Sequence, residues 1–100
     1  MDNKQIVDSK KSLILSVFTH PACRGCGAAV ERGWELAQDL QGIVLKTVKL
    51  ENREGLEKAQ QCGIKTIPTM IIYKGEEECE RMVGLPEKKN LEESLKLYLD

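Results

Sequence analysis

The sequence has 100 residues, of which 41% are hydrophobic and 31% are charged. This length allows one compact domain that buries roughly two-thirds of the surface of the unfolded chain, and the composition is not that of a disordered protein. Fifteen basic and sixteen acidic residues leave a net charge of -1, which gives no overall attraction to nucleic acid or anionic membranes. Apolar runs such as residues 13–15 are too short for a membrane span or a secretion signal, so we expect a cytoplasmic protein.

Strands and helices are predicted in alternation after a short polar extension at residues 1–11. The remaining residues, 12–100, form a single domain, because no repeat, low-complexity tract or linker divides them. Apolar, β-branched runs indicate the strands, and apolar residues at helical spacing indicate the helices. In chain order, the elements are a strand at 13–18, a helix at 24–41, a strand at 43–50, a helix at 52–61, strands at 69–73 and 79–83, and a helix at 87–99.

The order of these elements, β-α-β-α-β-β-α, predicts an α/β fold with a central four-stranded mixed sheet flanked by helices. The first two strands should be parallel because a helix joins them, whereas a turn at Lys74 and Gly75 makes the last two an antiparallel hairpin. The glutamates after this turn suit a solvated edge strand. Leu56 and Ala59 are the expected anchors of the second helix, and Trp34 is expected in the core.

Four cysteines carry the chemical signal: Cys23, Cys26, Cys62 and Cys79. Cys23 and Cys26 lie where the first strand ends and the first helix begins. Residues at this spacing have Cα atoms about 5–6 Å apart, which a disulfide can span. The pair therefore points to thiol–disulfide exchange. Cys62 and Cys79 are expected to be inert packing residues, with a second redox role for Cys62 or a disulfide between the two left open.

The surroundings of the pair assign a role to each cysteine. Cys23 is near the helix N-cap, where unpaired amides and the helix dipole stabilise a thiolate. Arg24 adds a permanent positive charge, and His20 can tune Cys23 as a nearby cation or proton donor. Cys26 is expected one turn into the helix, on its core side. Cys23 would then attack a substrate disulfide, and Cys26 would resolve the mixed disulfide.

A metal site is the alternative interpretation of two cysteines at this spacing. The two cysteines could supply half of the ligands of a zinc site, which would need a second close pair of ligands. Cys62 and Cys79 are single and distant in sequence, and His20 is the one histidine. A metal or iron–sulfur carrier bound through Cys23 and Cys26 would also need ligands from a partner. We therefore expect no cofactor beyond the Cys23–Cys26 disulfide.

Two separated motifs resemble the thioredoxin-like superfamily, and the resemblance covers roughly residues 12–99. The first is C-R-G-C at residues 23–26, and the second is G-I-K-T-I-P-T at residues 63–69. The resemblance implies that Pro68 is a cis-proline facing the active-site disulfide. It also implies that the backbone of Ile67 pairs with an extended substrate segment beside Cys23. Ile67 and Pro68 are therefore the expected substrate-binding residues.

Several positions depart from thioredoxins and leave a glutaredoxin-like interpretation open. Ala22 replaces an aromatic residue, Gly25 replaces the proline of the motif, and Val17 aligns with a buried aspartate that assists proton transfer. Without that acid, deprotonation of the second cysteine is expected to be slower. Residues 18–23 and the short N-terminal portion resemble glutaredoxins instead. Residues 84–87, however, do not reproduce the Gly-Gly-x-Asp stretch with which many glutaredoxins bind glutathione.

The sequence thus predicts a monomeric thiol–disulfide oxidoreductase that reduces protein disulfides through Cys23 and Cys26. Its partners would be disulfide-containing proteins and an electron donor, either a thioredoxin-reductase-type enzyme or glutathione. The alternatives are a glutathione-dependent, glutaredoxin-like enzyme and a non-catalytic metal or iron–sulfur carrier. No nucleic-acid or membrane partner is expected.

Overall fold

Strand β1 (Leu13–Thr19) lies inside a four-stranded sheet whose strand order is β2-β1-β3-β4. The structure, a computed structural model, describes residues 12–99, so the predicted extension at 1–11 lies outside the described residues. The other elements are helix α1 (Cys26–Asp39), strand β2 (Ile43–Lys49), helix α2 (Arg53–Gln61), strand β3 (Thr69–Lys74), strand β4 (Glu77–Val83) and helix α3 (Lys88–Tyr98). This is the predicted order of elements, and the α/β fold is confirmed.

The two sides of β1 are paired differently, and this makes the sheet mixed. β1 runs parallel to β2, from Leu13 opposite Ile43 to Thr19 opposite Lys49. On its other side, β1 runs antiparallel to β3, which forms an antiparallel hairpin with β4. Both predicted strand relationships are confirmed. Because β1 is paired along both edges, the position and direction in which the chain leaves it at Thr19 are closely defined.

Each face of the sheet has its own apolar core, because successive side chains of a strand point to opposite faces. On one face, Leu15 packs in a buried cluster with Leu36 of α1 and Leu95 of α3. On the other face, Phe18 packs in a second buried cluster with Ala59 of α2. The helices therefore flank the sheet on both sides, and α1 is held against the face opposite α2.

Two apolar side chains predicted to pack inward are exposed instead. Trp34 is 55% exposed, because it follows the buried Gly33 and points about 100° away from the face of α1 that meets the sheet. Leu56 is 44% exposed, whereas Ala59 is buried as predicted. The neighbour of Leu56, Gly55, is the α2 residue that lies against the backbone of Lys49 at the end of β2. This contact turns Leu56 toward solvent.

Strand β4 is at the edge of the sheet, and most of its glutamates lie in solvent as predicted. Glu78 is exposed and makes a surface ion pair with Arg81, with an Oε2–Nε distance of 2.9 Å. Glu80 is an exception to the prediction, since it is half-buried and accepts a hydrogen bond of 3.0 Å from the hydroxyl of Ser94 in α3. The edge strand is therefore also joined to the final helix.

Candidate active site

Cys23 and Cys26 are joined by a disulfide, and their Cα atoms lie 5.5 Å apart. Cys23 is half-buried in the loop after β1, whereas Cys26 is only 4% exposed. The sulfur of Cys26 lies 3.9 Å from the carbonyl oxygen of Phe18 near the end of β1. An incoming group can therefore reach the sulfur of Cys23 more readily than that of Cys26.

Helix α1 begins later than predicted, which changes the position of both cysteines. Gly25 is the N-cap residue, so Cys26 is the first helical residue rather than one turn into the helix. The N–H of Ala29 donates to the carbonyl oxygen of Gly25, with an N–O distance of 3.0 Å. The amides of residues 26–28 consequently have no partner within the helix, and Gly25 has no side chain to cap them. These amides place the positive end of α1 at the disulfide.

The loop before the motif is closed by His20. The N–H of Cys23 donates to the carbonyl oxygen of His20 at 3.0 Å, and the N–H of Ala22 donates to the Nδ1 atom of His20 at 3.1 Å. Both acceptor atoms of His20 are thus used to hold the turn that leads into the cysteine motif. Arg24 is exposed to solvent next to Cys23.

Pro68 is buried and lies against the cysteine motif, although the two are widely separated in sequence. The Ile67–Pro68 peptide bond is cis, as the resemblance implies. A β-carbon added at Gly25 would lie 3.6 Å from the Cδ atom of Pro68, which puts the proline ring next to the backbone of the motif. The hydroxyl of Thr69 donates to the carbonyl oxygen of Thr66 and closes the loop that carries Pro68.

An apolar segment that sequence reasoning missed adjoins Pro68. The N–H of Gly84 donates to the carbonyl oxygen of Pro68 at 2.8 Å. On either side of Gly84, Val83 is 66% exposed and Leu85 is 40% exposed. Gly84 has a φ of 89°, in the left-handed region that favours glycine. Two aliphatic residues on either side of a glycine, where an edge strand ends ahead of a helix, are the sequence signal that could have revealed this surface.

Cys62 and Cys79 are both free and half-buried, so the disulfide between them that the sequence left open is not present. Cys62 follows α2 on the face of the sheet opposite α1, and its sulfur lies 3.5 Å from the hydroxyl of Tyr73. Burial and then this hydrogen bond raise the pKa of Tyr73 well above its usual range. Within residues 12–99, no three His, Cys, Asp or Glu side chains lie close enough to hold a metal ion.

Comparison with known proteins agrees with this geometry. The thioredoxin family model matches residues 2–97 of the chain. A thioredoxin from Synechocystis sp. is 33% identical over 96 residues, which are 96% of this chain and 88% of that protein. A thioredoxin from Bacillus subtilis is 31% identical over 98 residues, which are 98% of this chain and 93% of that protein. These relatives favour the thioredoxin interpretation over the glutaredoxin one.

The solved structures agree at the level of the fold. The X-ray structure of Fasciola hepatica thioredoxin superimposes with a TM-score of 0.78, covers 96% of this chain and 89% of its own chain, and is 23% identical in sequence. No helix within residues 12–99 has both the length and the apolar character needed to cross a membrane. From the family match, the relatives and the Cys23–Cys26 disulfide at the start of α1, the chain belongs to the thioredoxin family and is a thiol–disulfide oxidoreductase.

Proposed function

We propose that this protein reduces disulfide bonds in other proteins, with Cys23 as the nucleophile and Cys26 as the resolving cysteine. The observation that carries the proposal is the unequal exposure of the two bonded cysteines at the start of α1: Cys23 is half-buried and Cys26 is 4% exposed. Thiol–disulfide exchange requires one sulfur that meets the substrate and a second one close enough to displace it. Membership of the thioredoxin family supports the same reaction.

The reaction transfers two electrons through a mixed disulfide. In the reduced protein, the Cys23 thiolate attacks one sulfur of the substrate disulfide, which forms a bond from Cys23 to the substrate and releases the other substrate sulfur as a thiolate. Cys26 then loses its proton and attacks the sulfur of Cys23. The Cys23–Cys26 disulfide forms, the bond to the substrate breaks, and the substrate leaves as a dithiol after taking up protons from Cys26 and from solvent.

The surroundings of Cys23 favour the thiolate that begins this sequence. The unpaired amides at the start of α1 direct their positive ends toward the motif, and the guanidinium of Arg24 adds a full charge in the exposed position next to it. His20 contributes by holding the loop that carries Cys23, through its carbonyl oxygen and its Nδ1 atom. Arg24 would therefore act through its charge on the Cys23 thiolate, and His20 through the position of the loop that carries Cys23.

The substrate would bind across Pro68 and the neighbouring exposed segment. Ile67 offers its backbone to an extended polypeptide beside Cys23, in the manner of strand addition. Pro68 lies against Gly25, and the exposed side chains of Val83 and Leu85, on either side of the Gly84 that is bonded to Pro68, would form an apolar rim beside it. Apolar side chains that flank the target disulfide would lose water against this rim, which would favour unfolded or flexible protein substrates.

The electron donor would be an NADPH-dependent, thioredoxin-reductase-type flavoenzyme, and the protein would act as a monomer in the cytoplasm. The thioredoxin relatives support this donor rather than glutathione. Reduction of the Cys23–Cys26 disulfide by such a reductase with NADPH, but not by glutathione with glutathione reductase, is the expected result. Dependence on glutathione would overturn the assignment of the donor without affecting the chemistry of the two cysteines.

Catalysed reduction of insulin by dithiothreitol tests the proposed function. The wild-type protein should accelerate the reaction, and Cys23→Ser should abolish the acceleration because the more accessible thiol of the pair is removed. Cys79→Ser, which removes a free cysteine outside the motif, is the matched control and should behave as the wild type. A wild-type protein that gives no acceleration would contradict the proposal.

A further inference from the structure

We propose that Arg32 is a positioning residue for protein substrates, because it fixes the partly exposed segment Val83–Pro86 beside Pro68, the proline that lies against the cysteine motif. The inference rests on the proposed function, since it assigns substrate contact to that segment. Arg32 is on α1, the helix that begins at Cys26. It therefore connects the helix that carries the chemistry to the surface that would receive the substrate.

The contact itself is direct. The Nη1 atom of Arg32 donates to the carbonyl oxygen of Pro86 at 2.6 Å, across 54 residues of sequence. Both residues are half-buried, so the bond is partly shielded from water. Hydrogen bonds from a charged donor are shorter and stronger than neutral ones. The bond therefore holds the backbone of the segment at Pro86, unlike a contact between two solvent-exposed side chains.

The segment is anchored on both sides of Leu85. On one side, the N–H of Gly84 donates to the carbonyl oxygen of Pro68 at 2.8 Å, next to the cysteine motif. On the other side, Pro86 is held by Arg32. Val83 and Leu85 project from this doubly anchored stretch with large exposed fractions, 66% and 40%. A stretch that is already ordered before the substrate binds loses less conformational entropy on binding, and this favours affinity.

A second contact joins α1 to the chain just after the segment, and it can be used to distinguish the role of Arg32 from the packing of α1 against α3. Glu35, about one turn after Arg32, pairs with Lys88 at the start of α3, with an Oε1–Nζ distance of 3.3 Å. This pair is exposed and holds α3 rather than the segment. Glu35→Gln is therefore a matched control, because it weakens the link between α1 and α3 but leaves the bond to Pro86 intact.

Loss of the Arg32 bond should weaken binding of protein substrates and leave the chemistry of the cysteines unchanged. For Arg32→Met, which keeps a long apolar stem but has no donor, we expect the KM for insulin to rise about three- to tenfold with little change in kcat. Reduction of the small disulfide cystine, which cannot span the rim, should proceed at the wild-type rate. Arg32→Lys, which retains a charged donor, should recover most of the affinity for insulin.

Backbone amide exchange provides a readout that is independent of activity. In Arg32→Met, exchange at Gly84, whose N–H is bonded to the carbonyl oxygen of Pro68, should become faster, whereas exchange in the middle of α1 should stay as in the wild type. The same measurements on Arg32→Gln keep the test valid if the methionine variant does not fold. Glu35→Gln should show neither the rise in KM nor the faster exchange at Gly84.

The outcomes separate this inference from the proposed function. If the wild type reduces insulin and Arg32→Met has the same KM, the role of Arg32 is overturned and the proposed function stands. An equal loss of activity toward insulin and cystine would also overturn it, because Arg32 would then act on the chemistry. If the wild type reduces cystine but not insulin, the proposed function itself fails and the inference fails with it.

Discussion

Cys23 and Cys26 share one disulfide but lie in different surroundings. Cys23 belongs to a loop that His20 closes, whereas Cys26 is the first residue of a helix and its sulfur faces the carbonyl oxygen of Phe18. Because this oxygen is an acceptor, it can take a hydrogen bond from the Cys26 thiol after reduction. The proposed roles follow from this difference: the more exposed sulfur, that of Cys23, would attack the substrate, and the buried sulfur of Cys26 would resolve the mixed disulfide.

Arg24 should make the couple more oxidising, and this can be measured. On the proposed function its positive charge would stabilise the Cys23 thiolate and therefore the reduced protein, but its exposure to solvent limits the effect. For Arg24→Gln we expect a reduction potential about 5–20 mV more negative, which corresponds to a few tenths of a kcal/mol up to about 1 kcal/mol. Equilibration with glutathione redox buffers gives the value. A potential that is unchanged or less negative would contradict a role for this charge.

Tyr73 should make stability depend on alkaline pH. Burial, followed by the hydrogen bond and charge of Cys62 and the charge of Glu78, raises the pKa of Tyr73 above its ordinary value of 10.0, against a smaller opposite effect of Arg81. The unfolded chain therefore loses the phenolic proton at a lower pH than the folded protein does. The contribution of Tyr73 is fully present below about pH 10 and is lost as the pH rises further.

Tyr73→Phe should accordingly flatten the alkaline decline in the free energy of unfolding. Urea denaturation at several values between about pH 8 and pH 11 would measure it. Tyr98, whose pKa is also raised, first by burial, is present in both proteins and cancels in the comparison. An identical decline in the two proteins would show that the environment of Tyr73 does not affect stability in this range.

At the scale of elements, α2 approaches β2 so closely that a side chain at one position is excluded. A β-carbon at Gly55 would overlap the carbonyl oxygen of Lys49, a backbone atom that cannot move aside without moving the end of β2. We therefore expect Gly55→Ala to lower the free energy of unfolding by at least about 2 kcal/mol, although alanine is the better helix former. Urea unfolding monitored by circular dichroism would measure this loss.

Gly27 is the matched control for this prediction. It is also a helical glycine, in the first turn of α1, but a β-carbon there would have no neighbour within 4 Å. Gly27→Ala should raise the free energy of unfolding by about 0.5 kcal/mol, because alanine loses less backbone entropy on folding. If both variants changed stability in the same direction, close approach of α2 to β2 would not be the reason for glycine at position 55.

For the whole molecule, the sequence predicted the elements that depend on local pattern and missed contacts between distant residues. The apolar β-branched runs and the cysteine motif between a strand and a helix were sufficient for the order of the elements, the parallel pairing of β1 with β2, the antiparallel hairpin of β3 and β4, and the redox pair, but they did not place β1 beside β3 in the sheet. The start of α1 was placed too early, because helical spacing of apolar residues does not mark the last non-helical residue. The bond from Arg32 to Pro86 and the rim around Gly84 depend on how α1 meets the end of β4, which local spacing does not encode.

The most direct test of the thioredoxin chemistry is capture of the reaction intermediate. In Cys26→Ser the resolving sulfur is absent, so the mixed disulfide between Cys23 and a substrate protein should persist. Incubation of this variant with an unfolded, disulfide-containing protein, followed by mass spectrometry of peptides, should identify a bond from Cys23 that dithiothreitol reverses. Cys23→Ser should form no such adduct. The result that would contradict the chemistry is an absence of adducts at Cys23, or adducts formed to the same extent at Cys62 and Cys79.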